Sequence, residues 1–101
     1  MSERVIGQIT VQGETITLIE TTYADGHRAV VARDADGLPY GTLSVNLPES
    51  DLAPDEIAIK TWSENGPLAQ AAADSGYFEI TGRTITINER SFGSAPVWRI
   101  R

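Results

Sequence analysis

The chain has 101 residues, with 14 Asp and Glu, 8 Lys and Arg, one His and no Cys, so its formal net charge is -6. This length indicates a single domain, residues 1–101. The lack of Cys excludes disulfides, thiol catalysis and thiolate zinc sites. The acidic balance disfavours direct binding to nucleic acid or to an anionic membrane, since phosphates are bound largely by Lys and Arg. The first residues do not resemble a signal peptide, and no apolar run approaches the about 20 residues of a membrane span, so we expect a soluble cytoplasmic protein.

The first half of the chain has the pattern of an antiparallel meander. Its four segments are rich in β-branched or alternating apolar residues. Turn residues separate them, among them two Asp-Gly pairs, which tolerate the positive φ of tight turns. The predicted strands lie at 5–11, 15–23, 28–33 and 40–46.

The second half combines one helix with further strands. Two prolines make 47–54 a loop, and 56–62 alternates as a strand does. A Ser or Asn cap followed by Pro67 predicts a short helix that ends at Gly76, with Leu68, Ala71 and Ala72 on one face. The remaining segments are predicted as strands at 77–81 and 84–88 joined by a Gly82-Arg83 hairpin turn, a loop at 91–96 and a strand at 97–100.

These elements predict the α+β class. We expect a mostly antiparallel sheet of about six to eight strands with one short helix packed on it.

Charge is distributed unevenly along the chain. Between residues 34 and 59 there are six acids and no Lys or Arg, whereas residues 83–101 carry four Arg and one Glu. Acids in turns can simply keep a small β domain in solution, or they can form an acidic face that fits a basic protein surface. On the second interpretation the partner-binding acids are Asp34, Asp36, Glu49, Asp51, Asp55 and Glu56, and the apolar anchors are Leu47 and Leu52.

Catalytic and cofactor motifs are weak. His27 is predicted to be an exposed turn histidine, and no G-x-S-x-G or phosphate-loop motif is present. The acids of the 47–56 segment lack calcium-loop spacing, so we expect no metal and no cofactor. The aromatic residues are scattered, which indicates core packing for Trp62 and Trp98, or an interface anchor if either is exposed. We therefore expect a non-enzymatic protein; a deep pocket enclosing His27 and two carboxylates would favour an enzyme.

One segment resembles a known family. The run Y-G-T-L-S-V-N-L-P at 40–48 is similar to the Y-x-T-L-[ST]-V-N-L-P signature of small uncharacterised proteins found in phages, plasmids and conjugative elements. The resemblance extends over about residues 28–100, through Leu52–Glu56 and Pro96–Ile100, but residues 91–94 lack the Cys of many relatives. Asn46-Leu47-Pro48 fits both a strand end and a binding motif.

The resemblance implies a mobile genetic element, whose small acidic proteins often look like inhibitors of host defence. The leading hypothesis is an anti-CRISPR-like protein that occupies a basic, nucleic-acid-contacting surface of a host defence complex, with no direct contact to nucleic acid or membrane. The alternative is a homo-oligomeric accessory module for maintenance of the element. Monomer and dimer both remain open.

Overall fold

Strands dominate the chain in the computed structural model, which describes residues 3–24, 26–45, 52–61, 65–88 and 93–101. The first sheet has the order β1-β2-β3-β4 and the second has the order β5-β6-β8-β7, with antiparallel pairing throughout. This confirms the predicted α+β class. The elements are β1 (Arg4–Val11), β2 (Glu14–Thr22), β3 (Arg28–Arg33), β4 (Pro39–Thr42), β5 (Ser44–Val45), β6 (Glu56–Ile59), α1 (Gly66–Asp74), β7 (Phe78–Asn88) and β8 (Gly93–Ile100).

The predicted meander forms the first sheet. The turn between β1 and β2 consists of Gln12 (φ 52) and Gly13 (φ 82), and Val11 pairs with Glu14 to close it. Both turn residues have positive φ, which fits the right-handed twist of a two-residue hairpin. Gly26 (φ 93) and Gly37 (φ 82) supply a positive φ in the next two turns, as their Asp-Gly pairs predicted.

Leu43 joins the two sheets. Its N–H donates to the Val30 carbonyl in the first sheet at 2.9 Å, and its carbonyl accepts from the Lys60 N–H at 2.8 Å. The segment predicted as one strand therefore leaves the first sheet after β4 and enters the second as β5. The Leu43 side chain is fully buried between the sheets.

Two predictions for the second sheet are wrong. Gly82 does not turn the chain: β7 runs through it as one strand, with Gly82 at φ 83 and a register shift between Ile80 and Thr84. The predicted loop at 91–96 is already strand from Gly93 onward. Pro96 fits inside β8 because β6 pairs only with the next three residues of that strand, so no partner there needs the missing N–H.

Helix α1 begins next to Pro67, as predicted, but the predicted side-chain cap is not formed. Asn65 precedes the helix without a side-chain capping bond. Its amide nitrogen instead donates to the Thr42 carbonyl at 3.0 Å and to the Lys60 carbonyl at 2.8 Å. Asn65 is buried, and its two bonds tie the helix start to the end of β4 and to the residue after β6.

The helix packs beside β1 and β7 and covers one side of the core. Its most buried residues are Leu68, Ala69 and Ala72, so Ala69 replaces the predicted Ala71, which is half-buried. Gly76 at φ 84 follows the helix end, as predicted. Trp98 is buried, with its ring centroid 5.6 Å from that of Phe78, which confirms its packing role; Trp62 lies outside the described residues.

Candidate partner-binding site

The predicted acids do not gather on one face among the described residues. Asp34 and Asp36 follow the end of β3, whereas Asp55 follows Pro54, whose carbonyl accepts a bond from Arg28 at the start of β3. A six-residue strand separates these two positions, which is about 20 Å of extended chain. Of the other predicted contact residues, Glu49, Asp51 and Leu47 lie outside the described residues.

Glu56 is buried, and the chain's own arginines neutralise it. Only 4% of the residue is exposed. Its two carboxylate oxygens accept bonds from Arg83 Nη1 at 2.8 and 3.0 Å, and Arg99 Nη2 lies 3.6 Å away. The Ala53 N–H donates to Oε1 at 3.0 Å, and this bond, with the arginines, holds the pKa of Glu56 below its ordinary value although burial opposes it. This corrects the partner-binding role predicted for Glu56, because arginines of the same chain neutralise its charge.

Asp55 shares an arginine with Glu56. Its Oδ2 lies 3.1 Å from Arg99 Nε, and about half of its side chain is exposed. Arg99 Nη1 also donates to Glu79 Oε1 at 3.2 Å, and this hydrogen bond to Glu79, with the charges of the neighbouring acids, raises the pKa of the Arg99 guanidinium. The negative charge of Asp55 is therefore partly offset by a cation that lies in the same cluster.

A second buried carboxylate was not predicted. Glu20 is 6% exposed; Arg28 Nη1 lies 2.6 Å from its Oε2, and Arg4 Nε donates to its Oε1 at 2.9 Å. Glu20 has the same strand parity as the buried Ile16 and Leu18, so the alternation of β2 carried the signal that it points inward. A buried charge requires a partner, and the two arginines supply it.

Most of the positively charged side chains among the described residues form ion pairs within the chain. Among the described residues, five arginines form ion pairs with five acids. The cations are Arg4, Arg28, Arg33, Arg83 and Arg99, and the acids are Glu3, Glu20, Asp55, Glu56 and Glu79. Within the described ranges, ion pairs involve none of the remaining acids, which are Glu14, Asp34, Asp36 and Asp74. The excess negative charge of the described chain is therefore displayed by these four side chains.

Three of these acids lie at one end of the first sheet. Thr17 pairs with Arg33, so the β1–β2 turn, followed by Glu14, and the β3–β4 turn, which holds Asp34 and Asp36, lie at the same end. We call Glu14, Asp34, Asp36 and Leu38 the acidic turn patch.

Backbone bonds fix the shape of the β3–β4 turn. Asp34 Oδ1 accepts from the Asp36 N–H at 2.9 Å and from the Leu38 N–H at 3.0 Å. The Asp34 N–H donates to the Leu38 carbonyl at 2.9 Å, and Gly37 N–H donates to the Asp34 carbonyl at 3.0 Å. These bonds order the backbone of the turn that carries the exposed Asp36 side chain.

Leu38 is an exposed apolar residue next to these acids that the sequence did not indicate as a candidate anchor. It is 59% exposed and follows Gly37 directly. Its exposure depends on the hydrogen bonds that hold this turn, and the sequence alone does not show them. The predicted anchor Leu52 is instead half-buried and lines a cavity of about 230 Å³ together with His27, Arg28 and Glu56.

The cavity beside Leu52 bears on the enzyme alternative. His27 is half-buried there, not exposed as predicted, and the Glu56 that shares the cavity is held by arginines. A carboxylate with a lowered pKa is a poor proton acceptor. Among the described residues there is no group of three or more His, Cys, Asp or Glu placed to hold a metal ion.

Comparisons of the chain with protein-family models, with curated proteins and with solved structures found no match. In the described part of the chain, no helix has the length and apolar character needed to cross a membrane.

Proposed function

We propose that the chain is a non-enzymatic binding protein that docks its acidic turn patch on a basic protein surface. The observation that carries the proposal is the separation of charge: arginines are paired internally, while Glu14, Asp34 and Asp36 are left to act at one end of the first sheet. Complementary charge raises the association rate and disfavours wrong partners.

Leu38 supports the same surface. Binding energy in protein interfaces is concentrated in a few desolvated side chains surrounded by polar neighbours. Leu38 is exposed on a turn whose backbone is already ordered, so little conformational entropy is lost when it inserts into a partner. In this proposal the acids raise the association rate, and Leu38 slows dissociation of the complex.

The class of partner comes from the resemblance of residues 40–48 to proteins of mobile elements. On that basis the chain acts in the cytoplasm of a bacterial host and blocks a defence complex, with a CRISPR effector as the leading candidate. A protein surface that normally holds nucleic acid is rich in Lys and Arg and is therefore complementary to the acidic turn patch.

The test is inhibition of target-DNA binding by a panel of purified CRISPR effector complexes, measured by electrophoretic mobility shift. We expect inhibition by the wild type, and Asp36→Asn and Leu38→Ala should each raise the half-inhibitory concentration by about three- to tenfold. Thr84→Lys is the matched control, since it also changes the net charge by one unit but at an exposed position of β7. Equal inhibition by Asp36→Asn, Leu38→Ala and the wild type would remove the acidic turn patch from the mechanism.

A homo-oligomeric accessory module is the second candidate, because β7 is the outer strand of the second sheet and Ile80 on it is 59% exposed. Long edge strands pair readily with another copy. Multi-angle light scattering separates the two candidates: a stable dimer that Ile80→Lys dissociates, together with no inhibition of any effector, would favour this module.

A further inference from the structure

A groove lies between the edge of β1 and helix α1. It has a volume of about 500 Å³, within the range of ligand-binding clefts. One wall is formed by consecutive residues of β1 and the turn that follows, Gln8 to Gln12. The other wall is formed by residues of the helix and of the segment after it, including Pro67, Gln70, Asp74 and Tyr77.

The backbone of β1 presents hydrogen-bonding groups to this groove. Val11 and Glu14 close a two-residue hairpin, so the N–H and C=O groups of Val11 and, two residues earlier, Ile9 point toward β2. Alternation turns the N–H and C=O groups of Gln8 and Thr10 the other way, toward α1. The Tyr77 hydroxyl donates to the Gln8 carbonyl at 3.2 Å, which confirms this direction.

Thr10 is the open position of this edge. In the described part of the chain, β1 pairs with β2 alone, so no strand bonds the outward N–H and C=O of Thr10. Unpaired backbone groups at a sheet edge are the template that an added strand uses, with main-chain bonds giving affinity.

The groove also has a charge preference. Among the described residues that line it, Asp74 is the one charged side chain. Gln70 Nε2 donates to both of its carboxylate oxygens, at 3.2 and 3.3 Å, which holds the carboxylate at the helix end of the groove. Because the described residues that line the groove include no cation and the chain carries a net charge of -6, an occupant with Lys or Arg side chains is favoured over an acidic one.

We propose that this groove binds an extended basic peptide segment of a partner protein, which adds to the edge of β1 as a further strand. The segment bonds to the N–H and C=O groups of Thr10, and one of its Lys or Arg side chains pairs with Asp74. The site is distinct from the acidic turn patch and does not depend on the function proposed for that patch.

The probe is a capped octapeptide of alternating valine and lysine, compared with the same peptide carrying glutamate in place of lysine. Both are titrated into the ¹⁵N-labelled full chain, and the amide shifts of Gln8 and Thr10 are followed by NMR. We expect the lysine peptide to shift these amides saturably and the glutamate peptide to bind at least about tenfold more weakly.

Three variants assign the contacts. Thr10→Pro removes the outward N–H without touching the β1–β2 ladder and should weaken the lysine peptide about fivefold or more, whereas Thr10→Ala keeps the N–H and should bind like the wild type. Asp74→Asn should weaken it by about three- to tenfold, and this arm stands even if the proline variant fails to fold.

Several results would overturn the proposal: no shift at millimolar lysine peptide, equal binding of the two peptides, or Asp74→Asn binding like the wild type. Shifts of the Thr10 amide on simple dilution would also overturn it, because they would show that a second copy of the chain occupies the edge. Leu38→Ala should leave peptide binding unchanged, so failure here and failure of the acidic turn patch are separate results.

Discussion

Gly7 and Tyr77 make a close contact that couples β1 to the segment after the helix. A Cβ atom at Gly7 would lie 2.5 Å from the Tyr77 hydroxyl oxygen and 2.7 Å from its Cε1, too close for the ring to stay in place. The φ of Gly7 is not positive, so the backbone itself accepts alanine. Gly7→Ala therefore acts through displacement of the Tyr77 ring.

The loss of stability has two causes, displacement of the Tyr77 ring and loss of its hydrogen bond. Overpacking at a well-packed site costs about 1–3 kcal/mol, and loss of the Tyr77 bond to the Gln8 carbonyl adds about 1 kcal/mol. We expect Gly7→Ala to lower the free energy of unfolding by about 2–4 kcal/mol, measured by urea denaturation. Gly41→Ala is the matched control, because its Cβ would meet Leu68 Cδ2 at an ordinary 3.6 Å.

A double-mutant cycle isolates the contact. In a Tyr77→Ala background, Gly7→Ala should cost less than about 0.5 kcal/mol, which leaves a coupling of about 1.5 kcal/mol or more between the two sites. If Gly7→Ala costs no more than Gly41→Ala in the wild type, or costs as much without the tyrosine ring as with it, the steric explanation is wrong.

Three further changes test other parts of the fold. Glu56→Gln should lower the free energy of unfolding at pH 7 by about 1–3 kcal/mol. Because the folded-state pKa of Glu56 lies below its ordinary value, the stabilisation by its carboxylate is complete above that ordinary value and is lost as the pH falls through the folded-state pKa. Urea melts of the variant and the wild type should therefore converge in acid, and a difference that stays constant with pH would contradict this. Asn65→Ala should lower the free energy of unfolding by about 1–3 kcal/mol, because the Thr42 and Lys60 carbonyls lose the donor that the buried Asn65 side chain supplies; a thermal melt unchanged from the wild type would show that this bridge contributes nothing. Gln12→Gly should raise the free energy of unfolding by about 0.5–1 kcal/mol, because Gln12 has φ 52, and a decrease in urea melts would count against strain at this turn.

Local chemistry specified most of the fold. The positive-φ turns at Gly26 and Gly37 and the helix stop at Gly76 follow from residue type alone, because few other residues adopt that conformation without strain. These features depend on neighbours within a few positions.

The wrong predictions occur where contacts between residues far apart in the sequence determine the local structure. Gly82-Arg83 has the pattern of a hairpin turn, but pairing of β7 with β8 on both sides of Gly82 favours a bulge within one strand. Asn65 has the residue type of a helix cap, but two strand carbonyls compete for its amide. Neither competitor is visible in the local sequence.

The candidate site was only partly predictable for the same reason. Composition showed an excess of acid, but it did not show that Glu56 would be buried against two arginines or that Asp55 would share one of them. Asp36 was predicted correctly as a turn residue. Leu38 was missed because its exposure depends on the bonds that hold the turn.

The most direct test of the acidic turn patch is competition between this chain and nucleic acid for one purified CRISPR effector, measured by titration calorimetry with and without bound target DNA. We predict binding to the DNA-free effector that weakens as salt is raised, that bound DNA prevents, and that Asp36→Asn reduces by about three- to tenfold. Binding that is equally tight on the DNA-loaded complex, or that is insensitive to both salt and Asp36→Asn, would contradict the proposed charge-based block.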